Sequence, residues 1–369
     1  MTTEIHDLET KVVTIPLGER TYEIFIGSGL LQRIPDFLPF DIGGSKIFIV
    51  TDENVEGYAK SIKRQMDAHA VQFCEIYVLP HGEKTKSYEN LIKLHSWMLD
   101  HNIHRNSVVM AVGGGVIGDL AGFAAASFMR GIRFIQIPTT IVAQVDSSVG
   151  GKTGVNHALG KNTIGAFHQP SAVIIDLTLL KTLPDRELRA GLAEVIKHGM
   201  IADAALFDYL EDRVAPILAK DLDALMLPVR RSCEIKAAVV AEDEKEHGLR
   251  AILNYGHTFG HGIEAVTRYG VFLHGEAVAL GMQAAAVLAH NLGLLSGDAV
   301  ARQRACLEAY GLPVRWPDLP VDETLAAMKH DKKARAGTLK FIVADRIGHV
   351  VQRTDIPEEQ ARAALLALK

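Results

Sequence analysis

The chain has 369 residues, of which 48% are apolar and 22% are charged, and its formal net charge is −5. These proportions are typical of a globular protein and exclude a disordered or low-complexity chain. The length predicts two domains, since a domain commonly holds about 100–200 residues. The slightly acidic balance argues against nucleic-acid binding through bulk positive charge.

Cysteine usage and hydropathy indicate the compartment. Cys74, Cys233 and Cys306 are widely spaced and form no CxxC pair, which favours a reduced intracellular protein over a disulfide scaffold. Charged residues near the N-terminus argue against a secretory signal. The longest mildly apolar stretch, residues 277–289, is shorter than the roughly 20 residues of a membrane helix. We therefore expect a soluble, cytoplasmic protein with neither a membrane nor a nucleic-acid partner.

Short strand patterns alternate with helical patterns over the first half of the chain. Two of the helical patterns cover residues 54–69 and 87–101. Such alternation predicts an α/β domain with a mainly parallel sheet covered on both faces. The strand patterns, which are mostly β-branched or aromatic, cover residues 21–26, 46–51, 73–79, 107–112, 133–137 and 172–176.

Helical patterns dominate after residue 183, and one late strand pattern covers residues 339–343. We place the domain boundary near residue 180. An α/β nucleotide-binding domain is predicted over residues 1–180, and a largely helical domain that binds metal and substrate over residues 181–369. The predicted helices of this second domain are 185–201, 204–212, 222–242, 258–269, 276–292 and 298–310.

A glycine-rich turn follows the strand pattern at 107–112. Gly113, Gly115 and Gly118 satisfy GxGxxG between a strand and a helix, which is the context that a dinucleotide site requires. Glycine lets the backbone approach a pyrophosphate, and the helix N-terminus offers free N–H groups. The acidic residue expected about 20 positions later is missing, so the turn predicts phosphate binding without the usual fold order. The alternative is a turn that only packs the helix against the strand.

Polar side chains follow two other predicted strands. Asp52 and Asn54 end one of them, and Glu83 and Lys86 follow the next. Because ligands bind at the carboxyl ends of strands in open α/β sheets, these four residues are candidates for a cofactor site. Each is alternatively a turn or capping residue.

Histidines at helical spacing form a candidate metal site. His257 and His261 are four residues apart and fall on one helical face, and His274 stands near the start of the next helix. Glu194 lies within an apolar helical segment, where a carboxylate needs partners. Three nitrogen and oxygen ligands with an open position suit a catalytic zinc. Spacing leaves open which two histidines bind, and an HxxxH pair is alternatively structural.

Basic and amide side chains occur in several short polar segments. Together they suit a small substrate that carries phosphate and carboxylate groups, and each is alternatively a solvated surface charge. Residues 147–154 form a second glycine-rich loop, but residue 146 is Asp rather than the glycine of a P-loop, which argues against an ATPase. The basic and amide residues of these polar segments are Arg130, Lys152, Lys161, Asn162, Lys197, Lys236, Arg250, Lys332 and Lys333.

Taken together, these motifs resemble the 3-dehydroquinate synthase family of the sugar-phosphate cyclase superfamily. GGGVIGD at 113–119, AEVIK at 193–197, GHTFGH at 256–261 and HGE at 274–276 carry the resemblance. The other matching segments are residues 127–131, 139–140, 146–152, 160–162 and 330–333.

The resemblance implies a fold and an activity. The fold is an N-terminal α/β NAD-binding domain and a C-terminal helical metal-binding domain, with the active site in the cleft between them. The implied reaction converts the phosphorylated seven-carbon keto acid DAHP (3-deoxy-D-arabino-heptulosonate 7-phosphate) to 3-dehydroquinate and phosphate, the second step of the shikimate pathway. It proceeds by transient oxidation, phosphate β-elimination, re-reduction, ring opening and intramolecular aldol closure. The implied cofactors are NAD+ and Zn2+ or Co2+, and the family is typically homodimeric.

The resemblance also implies residue roles. Metal ligands would be Glu194, His257 and His274, with His261 as an acid/base or proton-relay group. Arg130 would reach the substrate phosphate, and Lys332 or Lys333 would contact substrate. Other implied substrate contacts are Asp146, Lys152, Asn162, Lys197, Lys236, Arg250 and Asn254. The implied NAD site comprises Asp52, Asn54, Glu83, Lys86, Gly114, Gly115, Val116, Asp119, Thr139, Thr140, Lys161, Thr182 and Glu187. His81 departs from the family pattern next to a cofactor loop.

Three other functions are kept as alternatives. A related cyclase would act on sedoheptulose 7-phosphate, which lacks the carboxylate. A metal-dependent polyol dehydrogenase would produce net NADH. A catalytically inactive nucleotide-binding regulator would not depend on the metal and lysine residues.

Overall fold

The computed structural model describes residues 8–369 apart from residues 70, 159, 269 and 331–338. The chain divides into two compact units: the first holds the residues up to Leu183 together with Leu225–Ala241, and the second holds Pro184–Ala224 and Glu242–Lys369. The boundary near residue 180 assigns residues 225–241 to the second domain, whereas this segment packs with the first. A helical pattern shows that a segment is a helix but not which neighbour its apolar face contacts.

A seven-stranded sheet forms the centre of the first unit. Its strands are β1 (Lys11–Ile15), β2 (Tyr22–Gly27), β3 (Lys46–Asp52), β4 (Phe73–Leu79), β5 (Val108–Gly113), β6 (Arg133–Pro138) and β9 (Ala172–Asp176). The strand order is β1-β2-β9-β6-β5-β3-β4, and only the β1–β2 pair is antiparallel. The predicted mainly parallel sheet is confirmed, and each of the six predicted strands agrees within one residue at either end.

Apolar side chains cover both faces of this sheet, as predicted. Three helices pack on it: α1 (Glu56–Ala68), α2 (Tyr88–Asp100) and α3 (Gly115–Ser127). Along β3, Ile47 and Ile49 join a core cluster that includes α1 residues. Phe48 and Val50 point to the opposite face and join the cluster formed with α2 and α3. The alternation follows from the two-residue period of a strand.

A polar hairpin lies outside the main sheet. The antiparallel pair of β7 (Lys152–His157) and β8 (Gly160–Phe167) occupies a region that the sequence indicated as a glycine-rich loop. That interpretation was wrong for residues 152–154. The hairpin depends on glycine for close pairing, because a Cβ added at Gly165 would lie 1.9 Å from the carbonyl oxygen of Thr153. Strand patterns based on β-branched residues do not detect such a pair.

The second unit is largely helical, as predicted. Its helices are α4 (Asp185–Ala202), α5 (Ala204–Asp212), α6 (Val214–Leu218), the start of α7 (Leu222–Glu242), α8 (His257–Val266), α9 (His274–Asn291), α10 (Gly297–Ala309), α11 (Val321–His330) and α12 (Glu358–Leu366). A two-stranded antiparallel sheet of β10 (Phe341–Arg346) and β11 (His349–Arg353) completes it. In the described part of the chain, no helix combines the length and the apolar composition that a bilayer span requires.

Glycine brings two helices of the second unit into backbone contact. A Cβ added at Gly275, in the first turn of α9, would lie 1.7 Å from the carbonyl oxygen of Ala190 in α4. No larger residue fits at that distance, so the sequence of α9 permits its first turn to lie directly against α4. The contact places His274 at the start of α9 beside the middle of α4, which carries Glu194.

Candidate functional site

The glycines of the glycine-rich turn lie close to neighbouring side chains. A Cβ at Gly113 would lie 2.7 Å from Cβ of Ile117, and one at Gly118 would lie 2.7 Å from Oε1 of Gln136. Gly114 caps α3, and Gly115 is its first residue. These contacts favour small residues at both positions even without a bound nucleotide, which is the packing role kept as an alternative. The same geometry leaves the first-turn N–H groups of α3 at the carboxyl end of β5, where an anion is favoured.

A polar network that is buried at Lys86 and exposed at Glu83 and Asn162 joins three elements of the first unit. Lys86 donates to Asp119 on α3 and, at 2.5 Å, to Oδ1 of Asn162 in the hairpin. The side-chain amide of Asn156 donates to Glu83 at 2.7 Å, and its oxygen accepts the N–H of Asn162 at 2.9 Å. Burial raises the pKa of Asp119, although Lys86 counteracts it. The structure therefore brings four predicted residues together around Asn156, which the sequence did not single out.

The end of β3 forms a turn of its own. Oδ1 of Asp52 accepts the backbone N–H of Asn54 at 2.9 Å, which is the turn role kept as an alternative. Burial raises the pKa of Asp52. The carboxylate of the neighbouring Glu53 contacts Nδ1 of His81, the residue that departs from the family pattern at this loop.

The remaining predicted nucleotide residues are more scattered. The hydroxyl of Thr140 accepts the N–H of Ala143 at 3.2 Å, and Thr182 shares a 2.7 Å hydrogen bond with Tyr58. Lys161 lies 3.7 Å from Glu83. Two further residues lie in or beside α3 and β6: Val116 and Thr139. Glu187 lies in the second unit, in the first turn of α4, where burial raises its pKa.

Two predicted substrate residues are paired within the first unit. The Lys236 ammonium on α7 lies 2.6 Å from the carbonyl oxygen and 2.5 Å from Oδ1 of Asp146. Arg130 and Met129 both have positive φ, 64° and 46°, a conformation that costs non-glycine residues energy and often marks a functional loop. Lys152 begins the hairpin as an exposed residue.

The candidate metal ligands meet in the second unit. Glu194 is fully buried in α4, and its Oε1 lies 3.6 Å from Nε2 of His257 and 3.6 Å from Nε2 of His274. Its Oε2 accepts a hydrogen bond from Lys197. Among the described residues, this Oε1 has no hydrogen-bond partner. A buried carboxylate oxygen that faces two imidazole nitrogens fits a divalent cation with one carboxylate and two histidine ligands.

A second group shares one histidine with the first. His261, Glu264 and His274 also offer atoms within 4.8 Å of one another, as do Glu194, His257 and His274. Geometry alone therefore allows two ligand sets, one with His257 and His274 and the other with His261 and His274. His257 and His261 stand in edge-to-face contact, with ring centroids 5.4 Å apart.

Electrostatics in the first group favour an ionised Glu194 and a neutral His257, the forms in which these two side chains bind metals. Burial favours a neutral Glu194, but Lys197 and the two histidines outweigh it and hold its pKa well below the usual range. Burial also holds the pKa of His257 well below its usual value, so its ring is the neutral form that ligates metals. Burial opposes protonation of His274, but Glu194 and Glu264 outweigh it and raise the pKa to about 10.

A compact loop organises the other predicted residues of this unit. The carboxylate of Asp243 accepts backbone N–H groups from Arg250, His247 and Gly248, which hold its pKa at about 2. Arg250 is buried and donates to the carbonyl of Glu244 at 2.5 Å. The same loop places Nδ2 of Asn254 3.1 Å from Oε1 of Glu246.

Sequence reasoning missed Asn156, Asp243 and Glu264. The HxxxHxxE spacing over residues 257–264 was a usable signal for Glu264, because positions three and seven residues apart share a helical face. Asp243 lies in a charged run that is typical of a solvated segment, so no pattern marked it. Lys332 and Lys333 lie outside the described residues.

Comparisons with known proteins show the family to which the chain belongs. The family model described as 3-dehydroquinate synthase N-terminal matches residues 76–190, and the one described as 3-dehydroquinate synthase C-terminal matches residues 191–334. The structure of 2-epi-5-epi-valiolone synthase from Streptomyces hygroscopicus subsp. jinggangensis 5008, with NAD+ and Zn2+ bound, is 31% identical with a TM-score of 0.86 and covers 94% of this chain and 96% of its own.

Other solved structures extend the likeness. That of 2-deoxy-scyllo-inosose synthase, complexed with carbaglucose-6-phosphate, NAD+ and Co2+, is 25% identical, has a TM-score of 0.87 and covers 97% of this chain and 100% of its own. A probable glycerol dehydrogenase from Sinorhizobium meliloti 1021, at 17% identity and a TM-score of 0.59 over 92% of this chain and 94% of its own, shares the fold alone.

The fold and the site thus define an enzyme of the sugar-phosphate cyclase class. Within that class, the chain belongs to the 3-dehydroquinate synthase-like family.

Proposed function

We propose that this enzyme is a 3-dehydroquinate synthase, which converts DAHP to 3-dehydroquinate and phosphate and so supplies the second step of the shikimate pathway. The observation that carries the proposal is the buried Glu194, His257 and His274 group beside Lys197, in a chain that both 3-dehydroquinate synthase models match. Well-packed apolar side chains often stabilise a core at least as well as buried charged groups do, so stability alone does not account for this cluster.

The proposed cofactors are NAD+ and Zn2+ or Co2+. Glu194, His257 and His274 would hold the metal, and the turn at Gly113–Gly115 with the polar network around Lys86 would hold the nucleotide. When bound, NAD+ would take up and return a hydride, and the metal would polarise a substrate hydroxyl as a Lewis acid.

The chain's own residues would orient the substrate and move its protons. His261 lies beside the metal ligands and is suited to accept or return a proton from a hydroxyl. Lys152, Asn162 and Arg130 would hold the phosphate until it leaves, with Arg130 supplied by the partner subunit of a homodimer. Preorganised cations steady the negative charge that develops during elimination.

The choice of substrate depends on the carboxylate-binding residues. Lys236, Arg250, Asn254 and His261 would receive the carboxylate of DAHP. A second candidate is a cyclase that acts on sedoheptulose 7-phosphate, because 2-epi-5-epi-valiolone synthase is 31% identical over nearly the whole chain. The polyol dehydrogenases share only the fold, so they do not support a net oxidation.

One assay separates these functions. The purified, zinc-loaded enzyme is incubated with substoichiometric NAD+ and either DAHP or sedoheptulose 7-phosphate, and released phosphate and the NMR spectrum of the product are recorded. We expect phosphate and 3-dehydroquinate from DAHP, with no net NADH. Turnover of sedoheptulose 7-phosphate alone would support the second candidate. The absence of phosphate release from either substrate would contradict both candidate functions.

A further inference from the structure

Glu264 shares a helical face with two of the clustered histidines. It lies seven residues after His257 and three after His261 on α8, so all three side chains point to the same side. The Glu264 side chain is 5% exposed, and its Oε1 lies 3.2 Å from Nδ1 of His274. A buried carboxylate therefore contacts the nitrogen of His274 that faces away from Glu194.

His274 is the candidate ligand that packing restrains least. Its side chain is 34% exposed, compared with 11% for His257 and 0% for Glu194. It is also the first residue of α9, so only one of its flanking segments is helical. The orientation of its ring consequently depends on what holds Nδ1.

The chemistry of imidazole links that contact to metal binding. A neutral imidazole carries one N–H and one lone pair. Because a carboxylate only accepts hydrogen bonds, Glu264 favours the N–H at Nδ1 and leaves the lone pair at Nε2, the nitrogen that lies 3.6 Å from Glu194. His257 is arranged alike, since its Nδ1 lies 3.2 Å from the carbonyl oxygen of Tyr255.

We propose that Glu264 is a positioning residue that holds His274 in the tautomer and orientation required to bind the metal. A charged acceptor also makes the ligating nitrogen more basic than a carbonyl acceptor does. The inference rests on the proposed metal site but not on the identity of the substrate. The alternative hypothesis is that His261, Glu264 and His274 themselves bind a metal ion.

Zinc affinity tests the proposal without any substrate. Wild type, Glu264→Gln, Glu264→Leu and His261→Ala are prepared metal-free, and zinc affinity is measured by competition with a chromophoric chelator. Loss of a partner that orients a ligand typically costs about 10- to 100-fold in metal affinity. We expect zinc affinity to fall about 10-fold in Glu264→Gln, because the amide oxygen can still accept a hydrogen bond from Nδ1 of His274. In Glu264→Leu, which has no acceptor, we expect a fall of about 100-fold. His261→Ala should leave zinc affinity unchanged.

Cobalt absorption provides a second readout. The visible spectrum of the Co2+-loaded protein reports ligand geometry, and we expect it to change in both Glu264 variants but to keep its intensity in His261→Ala. Thermal unfolding of the metal-free proteins shows whether each variant folds. If the Leu variant does not fold, the test uses the Gln variant alone, because glutamine has nearly the same shape as glutamate.

Two results would overturn the proposal. One is wild-type zinc affinity and an unaltered cobalt spectrum in Glu264→Gln and in any folded Leu variant. The other is two zinc ions per wild-type chain, one of which is lost in His261→Ala, because Glu264 would then be a ligand of a second site. A wild type that binds one zinc tightly but does not turn over DAHP would reject the proposed function and leave this inference intact.

Discussion

The close backbone contact at Gly275 leaves no room for a side chain, so we expect substitution of this glycine to destabilise the protein. A Cβ there would lie 1.7 Å from the carbonyl oxygen of Ala190 and 2.5 Å from its carbonyl carbon. Both partners are backbone, so no side-chain rotation relieves the clash, and the first turn of α9 must move by about 1 Å or more. Overpacking of this kind costs about 1–3 kcal/mol of stability.

The same movement displaces His274 from the metal ligands. Because ligand distances tolerate only about 0.2 Å, we expect Gly275→Ala to lower zinc affinity at least about tenfold, in addition to its loss of stability. Chelator competition measures the affinity, and urea unfolding of the metal-free protein measures the stability.

Gly297→Ala is the matched control. Gly297 begins α10 in the same unit, and the nearest atom to an added Cβ is Cε1 of His290 at 3.7 Å. Its zinc affinity should equal that of the wild type, with stability unchanged or raised by up to about 1 kcal/mol. If Gly275→Ala matched this control in both measurements, the reasoning from the α4–α9 contact would be refuted.

Three further predictions concern charge and the nucleotide site. Lys197→Met removes the cation that hydrogen-bonds Oε2 of the buried Glu194, so urea unfolding should show a loss of about 3–5 kcal/mol in the metal-free protein, part of which zinc restores; an equal loss with and without zinc would contradict this. Asn156→Ala removes the acceptor for the N–H of Asn162, which has a φ of 56°, and calorimetry should show several-fold weaker NAD+ binding with unchanged zinc affinity. Because the pKa of His274 is raised to about 10, this ring is protonated at neutral pH without metal, and zinc binding must release a proton. At pH values below that pKa, zinc affinity should therefore increase about tenfold for each unit by which the pH is raised. An affinity that does not change with pH in calorimetric titrations would contradict this prediction.

The sequence predicted the parts of the fold that follow from local pattern. The central strands and most helices agree because buried β-branched runs and helical periodicity are properties of single segments. The hairpin at residues 152–167 was missed because its pairing depends on two facing glycines rather than on apolar residues. The packing of residues 225–241 with the first unit was missed because it depends on partners distant in sequence, such as the contact of Lys236 with Asp146.

The residues of the candidate site also differ in how far the sequence could predict them. Residue type and helical spacing pointed to Glu194 and three candidate histidines, and the choice of His257 and His274 came from the family resemblance. In the structure, the Nε2 atoms of these two histidines each lie 3.6 Å from Oε1 of Glu194. Asn156 and Asp243 act by accepting backbone N–H groups from residues four to seven positions further along the chain. Nothing in the type or spacing of such residues distinguishes them from ordinary polar surface positions.

Locating the bound metal tests the central claim most directly. A crystal of the zinc-loaded protein, measured on both sides of the zinc absorption edge, gives the ion's position independently of activity. We predict a single anomalous peak within bonding distance of Oε1 of Glu194 and the Nε2 atoms of His257 and His274. A peak held instead by His261 and Glu264, or no peak near Glu194, would contradict the account.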